Sequence, residues 1–205
     1  MKAKQLPQGR NWEKAIARER GADATAIFLA RVQARYDELL SQARRYENKA
    51  LRQHFENNIL PAVAVYSVLL MDGMEKDSAG RIIDSLLEAG VESARRMYRF
   101  WGRFPFFFDM LRVMLKPMMK SQFPEGWDVE WIESTPDLVG LNCRACFYLD
   151  RLAEYGFPEL TPHFCRLDDV LAAEAAPSVR FERTQTIARG GTLCDFRYAR
   201  VKRGG

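Results

Sequence analysis

All four cysteines of this 205-residue chain fall in its last third: Cys143, Cys146, Cys165 and Cys194. A thiol becomes a nucleophile or a soft-metal ligand once it loses its proton, so the neighbours of each cysteine decide what it can do. Cys143 and Cys146 form a C-x-x-C pair, while Cys165 and Cys194 follow singly. A second C-x-x-C would complete a structural zinc site, and it is missing. Four thiolates could still surround a metal. A thioredoxin-like redox pair would need a βαβ context that the flanking sequence lacks. The plain alternative is that the cysteines are reduced, buried and act as small hydrophobes.

The company they keep favours chemistry. Asp168 follows Cys165 by three residues, so on a helix the two side chains share a face. Asp195 directly follows Cys194, and in a strand the two point to opposite sides. Arg183 shares the alternation of Phe181, which makes it a candidate inward cation and an anchor for a substrate carboxylate. Its plain reading is an ordinary or ion-paired arginine. Thr186 lies on the other face of the same expected strand. The two histidines offer little. His54 stands alone in a helical region, and His163 would face away from Cys165 on a helix. No Gly-rich phosphate loop, serine elbow or His-Glu-x-x-His helix occurs.

These residues need elements to position them. Val32, Tyr36, Leu39, Ala43, Tyr46 and Ala50 repeat at helical steps and predict one continuous helix. Pro61 suits the first turn of another. Asp77 or Ser78 can cap a helix running through Ile82, Leu86, Leu87, Val91 and Ala94 towards Trp101. Residues 97–119 are rich in Phe, Trp, Met and Leu. Core, an oligomer interface, a pocket wall and a monotopic membrane contact flanked by Arg99, Arg103, Arg112, Lys116 and Lys120 are all open readings.

The texture changes at Phe123-Pro124-Glu125-Gly126. Trp127–Ile132 alternates as a strand, and Leu138–Leu141 can pair with it across a Ser134–Asp137 turn. Short helices are expected at Phe147–Tyr155 and Glu159–Ala175, then strands at Val179–Ile187 and Cys194–Tyr198 joined by Ala188–Leu193 with Gly190-Gly191. The expected fold is α+β: an N-terminal helical region (1–122) packed on a C-terminal module (123–205) of a small antiparallel sheet with short helices.

Composition bounds the remainder. Hydrophobic residues at 47% and charged residues at 28% suit a packed core. The net charge of +4 is mild and concentrates near the ends, in Lys2, Lys4, Arg10, Lys14, Arg18, Arg20, Arg197, Arg200, Lys202 and Arg203. No nucleic-acid-binding motif accompanies it, so solvated termini are expected. The first residues, MKAKQLPQGRNWEK, contain no apolar leader segment. The longest uncharged run, Asn57–Met71, falls short of the roughly 18 apolar residues of a spanning helix. A soluble cytoplasmic protein with reduced cysteines is expected.

In order and with similar spacing, one set of residues resembles a known family. It comprises Val129-Glu130-Trp131-Ile132-Glu133, Asn142, Cys146, Pro158-Glu159-Leu160, Phe164-Cys165-x-x-Asp168, Phe181-x-Arg183-x-x-Thr186, Gly190 and Cys194-Asp195-Phe196-Arg197. Together these resemble the L-2-amino-thiazoline-4-carboxylic acid hydrolase family over Trp127 to Tyr198. Two positions depart from that pattern: Phe147 stands where a proline is common, and Cys143 where an apolar residue is usual.

The resemblance implies hydrolysis of a cyclic isothiourea carboxylate, opening its C=N bond to a carbamoyl-cysteine. Cys165 or Cys194, with Cys146 third, would be the nucleophile. Asp168 and Asp195 would handle protons, Arg183 (or Arg197) would hold the carboxylate, and Asn142 and Thr186 would donate hydrogen bonds to developing charge. No cofactor or metal is called for. The expected partner is a small-molecule substrate, with self-association through residues 97–119 as a further expectation and neither nucleic acid nor stable membrane insertion. The alternative is a non-catalytic protein that binds a ligand, cofactor or soft metal with the same cysteines.

Overall fold

In a computed structural model, the structure describes residues 6–7, 12–13, 16, 22–120 and 125–202. Lys2, Lys4, Arg10, Lys14, Arg18, Arg20, Arg203 and the Phe123-Pro124 half of the expected turn lie outside the described residues. The fold is α+β, as the alternation and the helical periods predict. By contact, the chain divides into two compact units, Met1–Gly90 with Arg151–His163 and Val91–Asp150 with Phe164–Gly205. The expected 1–122/123–205 division sorts the chain by type of element instead. Among the described residues no helix is long and apolar enough to cross a membrane.

The first unit is helical. Helix α1 (Ala22–Gln42) buries Phe28, Val32, Tyr36 and Leu39 on one stripe. It does not run on to Ala50 as its period predicts. Asn48 accepts the backbone N–H groups of Ala50 (2.9 Å) and Leu51 (3.2 Å) and so starts a new helix, α2 (Lys49–His54). A π-helical turn, Phe55–Ile59, leads into α3 (Leu60–Met71), where Pro61 occupies the first turn as expected. Residues Leu60 to Leu69 of α3 are all buried. Helix α4 (Lys76–Gly90) turns Ile83, Leu86 and Leu87 inward. It too stops short of the continuous helix expected as far as Trp101, breaking at Gly90-Val91. His163 packs here, its imidazole Nδ1 2.9 Å from Asp84 Oδ1.

The second unit holds the sheet. Helix α5 (Glu92–Trp101) and helix α6 (Phe107–Lys120) are joined by a tight turn at Gly102. The Ser178 hydroxyl fastens that turn, donating to the carbonyls of Gly102 (2.6 Å) and Phe104 (2.8 Å). Strands β1 (Trp127–Ser134), β2 (Leu138–Cys146), β3 (Val179–Glu182) and β4 (Cys194–Arg200) form one antiparallel sheet in the order β1-β2-β4-β3. Helix α7 (Phe147–Glu154) follows β2 directly, and α8 (Thr161–Glu174) precedes β3.

One face of the sheet is apolar. Val139, Leu141, Cys143, Val179 and Cys194 pack with Phe107, Phe108 and Leu115 of α6, ringed by Trp127, Val129, Trp131, Phe196 and Tyr198. The register sets this face: Cys143 pairs with Cys194, Leu141 with Phe196, Val139 with Tyr198, and Phe181 with Tyr198 from the other side. The opposite face carries exposed Asp128, Glu130, Arg144, Arg180 and Glu182. That contrast is the signature of a sheet covered on one side only.

Candidate active site

The site begins with a bulge. Val129 pairs with Cys143 and Asp128 with Ala145, so Arg144 is an extra residue in β2. Strict alternation would put Cys146 on the face opposite Cys143. The bulge instead returns it to the apolar face, paired with Trp127. Cys146 also immediately precedes α7, and its sulfur accepts the backbone N–H groups of Tyr148 and Leu149. Those donors favour the thiolate, as does the positive end of a helix. Burial acts more strongly, and the thiol is pushed up to about 11.

Cys194 faces the same way from the start of β4. The backbone N–H of Ile187 donates to its sulfur at 3.3 Å. Burial raises its pKa, opposed by that N–H and by Arg183. Cys165 comes from α8 and is pushed up to about 12 by burial and by the charges of Cys146 and Asp168, with Arg183 opposing. Cys143 also reaches about 12, chiefly through burial.

Arg183 continues the inward alternation of Phe181 just beyond β3, and its side chain is only 7% exposed. Its guanidinium lies over the rings of Phe181 and Phe196, at 5.6 and 5.3 Å. It donates to Asp168 Oδ2 (2.9 Å), Asp169 Oδ2 (2.9 Å) and the Cys165 carbonyl (3.1 Å). The expected inward cation is therefore present, and its main contacts fix α8 and Asp168.

Asp168 is the carboxyl of this group that burial raises most. Burial lifts its carboxyl to about 6, against the pull of Arg183. Its side chain nonetheless keeps 44% of its surface open to solvent. Its charge acts on Cys143, Cys165, Cys194, Tyr98 and Tyr198. Cys146 in turn acts on Cys143 and Cys165, and Cys194 acts on Cys146.

Cys146, Cys165, Cys194, Asp168 and Arg183 are thus one electrostatic cluster inside the second unit. Two tyrosines belong to it that the sequence reading did not single out. Tyr198 lies four residues after Cys194 on the same strand face, a signal that alternation could have supplied. Tyr98 comes from α5, about seventy residues before Asp168, and no local pattern marks it.

Other expected residues lie elsewhere. Asp195 points to the opposite side of β4 from Cys194, as alternation requires. Its Oδ1 accepts from Thr184 N (3.0 Å) and Gln185 N (2.8 Å), and its Oδ2 from the Thr184 hydroxyl (2.6 Å). Burial pushes this carboxyl up, but the hydrogen bonds prevail and hold it below the usual range. The same bonds end β3 at Glu182, earlier than the expected Ile187, because they take two N–H groups that a longer strand would need. Asn142 pairs with Asp195 on that outer face and accepts from Arg197 at 3.0 Å. Arg197 also donates to the carbonyls of Leu141 and Phe196, so it braces strands.

Thr186 is buried, and among the described residues its hydroxyl has no hydrogen-bond partner. Its carbonyl accepts from Gly191 N at 2.9 Å, closing the loop beneath Cys194. Gly190 takes φ +84° there, a conformation suited to glycine. Among the described residues no three His, Cys, Asp or Glu side chains are disposed to hold a metal ion.

No curated protein matches the chain. A crystal structure of an Fe(II) unliganded H-NOX protein from K. algicida aligns over 96% of each chain at 9% identity, with a TM-score of 0.35. That score is too low for any inference about fold or function. The sequence model of one family matches residues 52–198, a span that includes every residue of the cluster. The chain belongs to the L-2-amino-thiazoline-4-carboxylic acid hydrolase family.

Proposed function

We propose that the protein hydrolyses a small cyclic amidine or isothiourea carboxylate, such as 2-aminothiazoline-4-carboxylate, by opening its C=N bond. The observation that carries this reading is Asp168, whose carboxyl burial lifts to about 6 beside the buried Arg183 guanidinium, with its charge acting on Cys143, Cys165 and Cys194. The family's name supports the substrate class.

The ring carbon between sulfur and two nitrogens is the electrophile. Burial pushes the Cys165 and Cys146 thiols up to about 12 and 11, so they hold little thiolate at neutral pH and attack needs a base beside the thiol. Burial raises the Cys194 thiol too, but it is the preferred nucleophile because it alone of the three combines an N–H donor, from Ile187, with the opposing charge of Arg183. Asp168, mostly ionised at pH 7, takes the thiol proton as the sulfur adds. It returns that proton to the ring nitrogen as the ring C–N bond breaks. Water then adds to the same carbon and Cys194 leaves, so the product carries a carbamoyl group on sulfur and a free amine. Arg183 orients Asp168, and its remaining N–H groups are available to the substrate carboxylate. The buried Thr186 hydroxyl, which has no hydrogen-bond partner among the described residues, is free to donate to the developing charge. Asn142 and Asp195 act at a distance by ordering the strands and the loop.

The test is turnover of 2-aminothiazoline-4-carboxylate, with the product identified by mass. Cys194→Ser should lower the rate at least about 100-fold with an unchanged melting curve. Rates near native in each of Cys194→Ser, Cys165→Ser and Cys146→Ser would rule out covalent thiol catalysis. Failure of the native protein to turn over any cyclic isothiourea carboxylate would overturn the activity itself.

A further inference from the structure

Cys143 has no part in the mechanism above, yet it is the direct cross-strand partner of Cys194 on the same buried face. Opposed residues of an antiparallel pair have Cα atoms about 4.5 or 5.5 Å apart, depending on their place in the ladder, and a disulfide accepts both. We propose that Cys143 and Cys194 form a reversible cross-strand disulfide under oxidation by a small hydroperoxide, which switches the site off and protects Cys194 from irreversible damage. This rests on the reading of Cys194 as the nucleophile, and it adds a modification that the hydrolysis does not need.

The chemistry balances in two steps. A hydroperoxide ROOH oxidises the Cys194 thiol to a sulfenic acid and leaves as ROH. The Cys143 sulfur then attacks that sulfenic sulfur, an S–S bond forms, and water departs. Two thiols have given up two electrons to one peroxide bond. Cys194 is the sulfur for the first step: burial raises its thiol, but the Ile187 N–H at 3.3 Å and the Arg183 charge oppose that shift together, a combination no other cysteine here has. Cys143 is the sulfur for the second because the β2–β4 register holds it directly opposite Cys194 on the same buried face. Cys146 is less well placed: the Arg144 bulge separates it from Cys143, and its sulfur is engaged by the N–H groups of Tyr148 and Leu149. Cys165 sits on a different element, α8.

The experiment treats the full chain with hydrogen peroxide, blocks free thiols, and maps peptides by mass. The expected result is a Cys143–Cys194 linkage that dithiothreitol reverses, with turnover lost and regained in step. In Cys143→Val, which keeps a small apolar group in the core, the same dose should convert Cys194 to its sulfinic acid, and dithiothreitol should restore nothing. A native-like melting curve identifies usable variants, with Cys143→Ala as the second choice. Linkage of Cys194 to Cys146 or Cys165, or full recovery of oxidised Cys143→Val by dithiothreitol, would overturn the proposal. The mass readout is independent of substrate. A disulfide without any turnover would sink the hydrolase reading alone, and turnover without this disulfide would sink the switch alone.

Discussion

Asp168 carries a conflict that can be measured. Burial lifts its carboxyl to about 6 in the folded chain, against roughly 3.9 for an unperturbed aspartate. Between those values the folded protein holds the proton more tightly than the unfolded chain does. The stabilising contribution is therefore complete below about pH 4 and is lost as pH rises through about 6, beyond which the ionised group is a standing cost. That cost is what makes it a usable base at neutral pH. Asp168→Asn removes the ionisation while Arg183 keeps Asp169 and the Cys165 carbonyl. At pH 7.5 the variant should melt at or above the native temperature, while turnover falls by about 100-fold or more. Native kcat/KM should decline as pH drops through 6, and that limb should vanish from the variant's residual rate. A limb that survives in the variant would assign the proton to another group. The separation of roles between Asp168 and Asp195 was half visible in the sequence. Alternation put Cys194 and Asp195 on opposite faces, but only the hydrogen bonds from Thr184 and Gln185 show that Asp195 is the acid tied to a loop.

Elements position these groups through a few irregularities that periodic reading misses. The Arg144 bulge turns Cys146 inward, and a regular strand would have turned it out. The side chain of Asn48 divides what reads as one helix, because its oxygen competes for the N–H groups that start the next. Such decisions depend on single hydrogen bonds, whereas periodicity averages over a whole segment. The turn between α5 and α6 is another such point. A Cβ added at Gly102 would lie 2.7 Å from the Tyr98 carbonyl oxygen and 2.9 Å from the Ala175 Cα, both of them backbone. Neither can move without disturbing α5, which carries Tyr98, or the end of α8, where Arg95 and Arg99 grip Glu174. Gly102→Ala should cost about 1–3 kcal/mol in urea unfolding, as overpacking does. Gly73→Ala is a control for the added methyl itself. Nothing lies within 4 Å of its Cβ, and its cost should come only from its left-handed φ of +79°. Equal costs at the two sites would show that crowding at Gly102 is relieved cheaply.

At the scale of the whole molecule, fold class was legible because alternation in Trp127–Ile132 and helical periods elsewhere are local signals. The assignment of residues to units was not, since it depends on contacts such as Ser178 with Gly102, 76 residues apart. The aromatic segment between residues 97 and 119 shows the same limit. Composition could not choose between core and surface, and the structure divides it. Phe107, Phe108 and Leu115 are buried under the sheet, while Phe100, Trp101, Phe104 and Phe106 remain 37–53% exposed and lean on one another. The two groups should respond oppositely to substitution. Phe108→Ala removes a fully buried ring and should cost about 3–5 kcal/mol. Phe106→Ser, two residues earlier, should cost under about 1 kcal/mol, because much of that ring already meets water. Large outward rings are uncommon on a chain that works alone, and self-association through this segment would have to use them. Sedimentation of the Phe104→Ser, Phe106→Ser double variant against the native protein reads that directly. A native dimer reduced to monomer, with turnover per chain unchanged, would assign the rings to a second copy. Identical sedimentation of both proteins would remove self-association from the account and leave the buried half of the segment as its structural role.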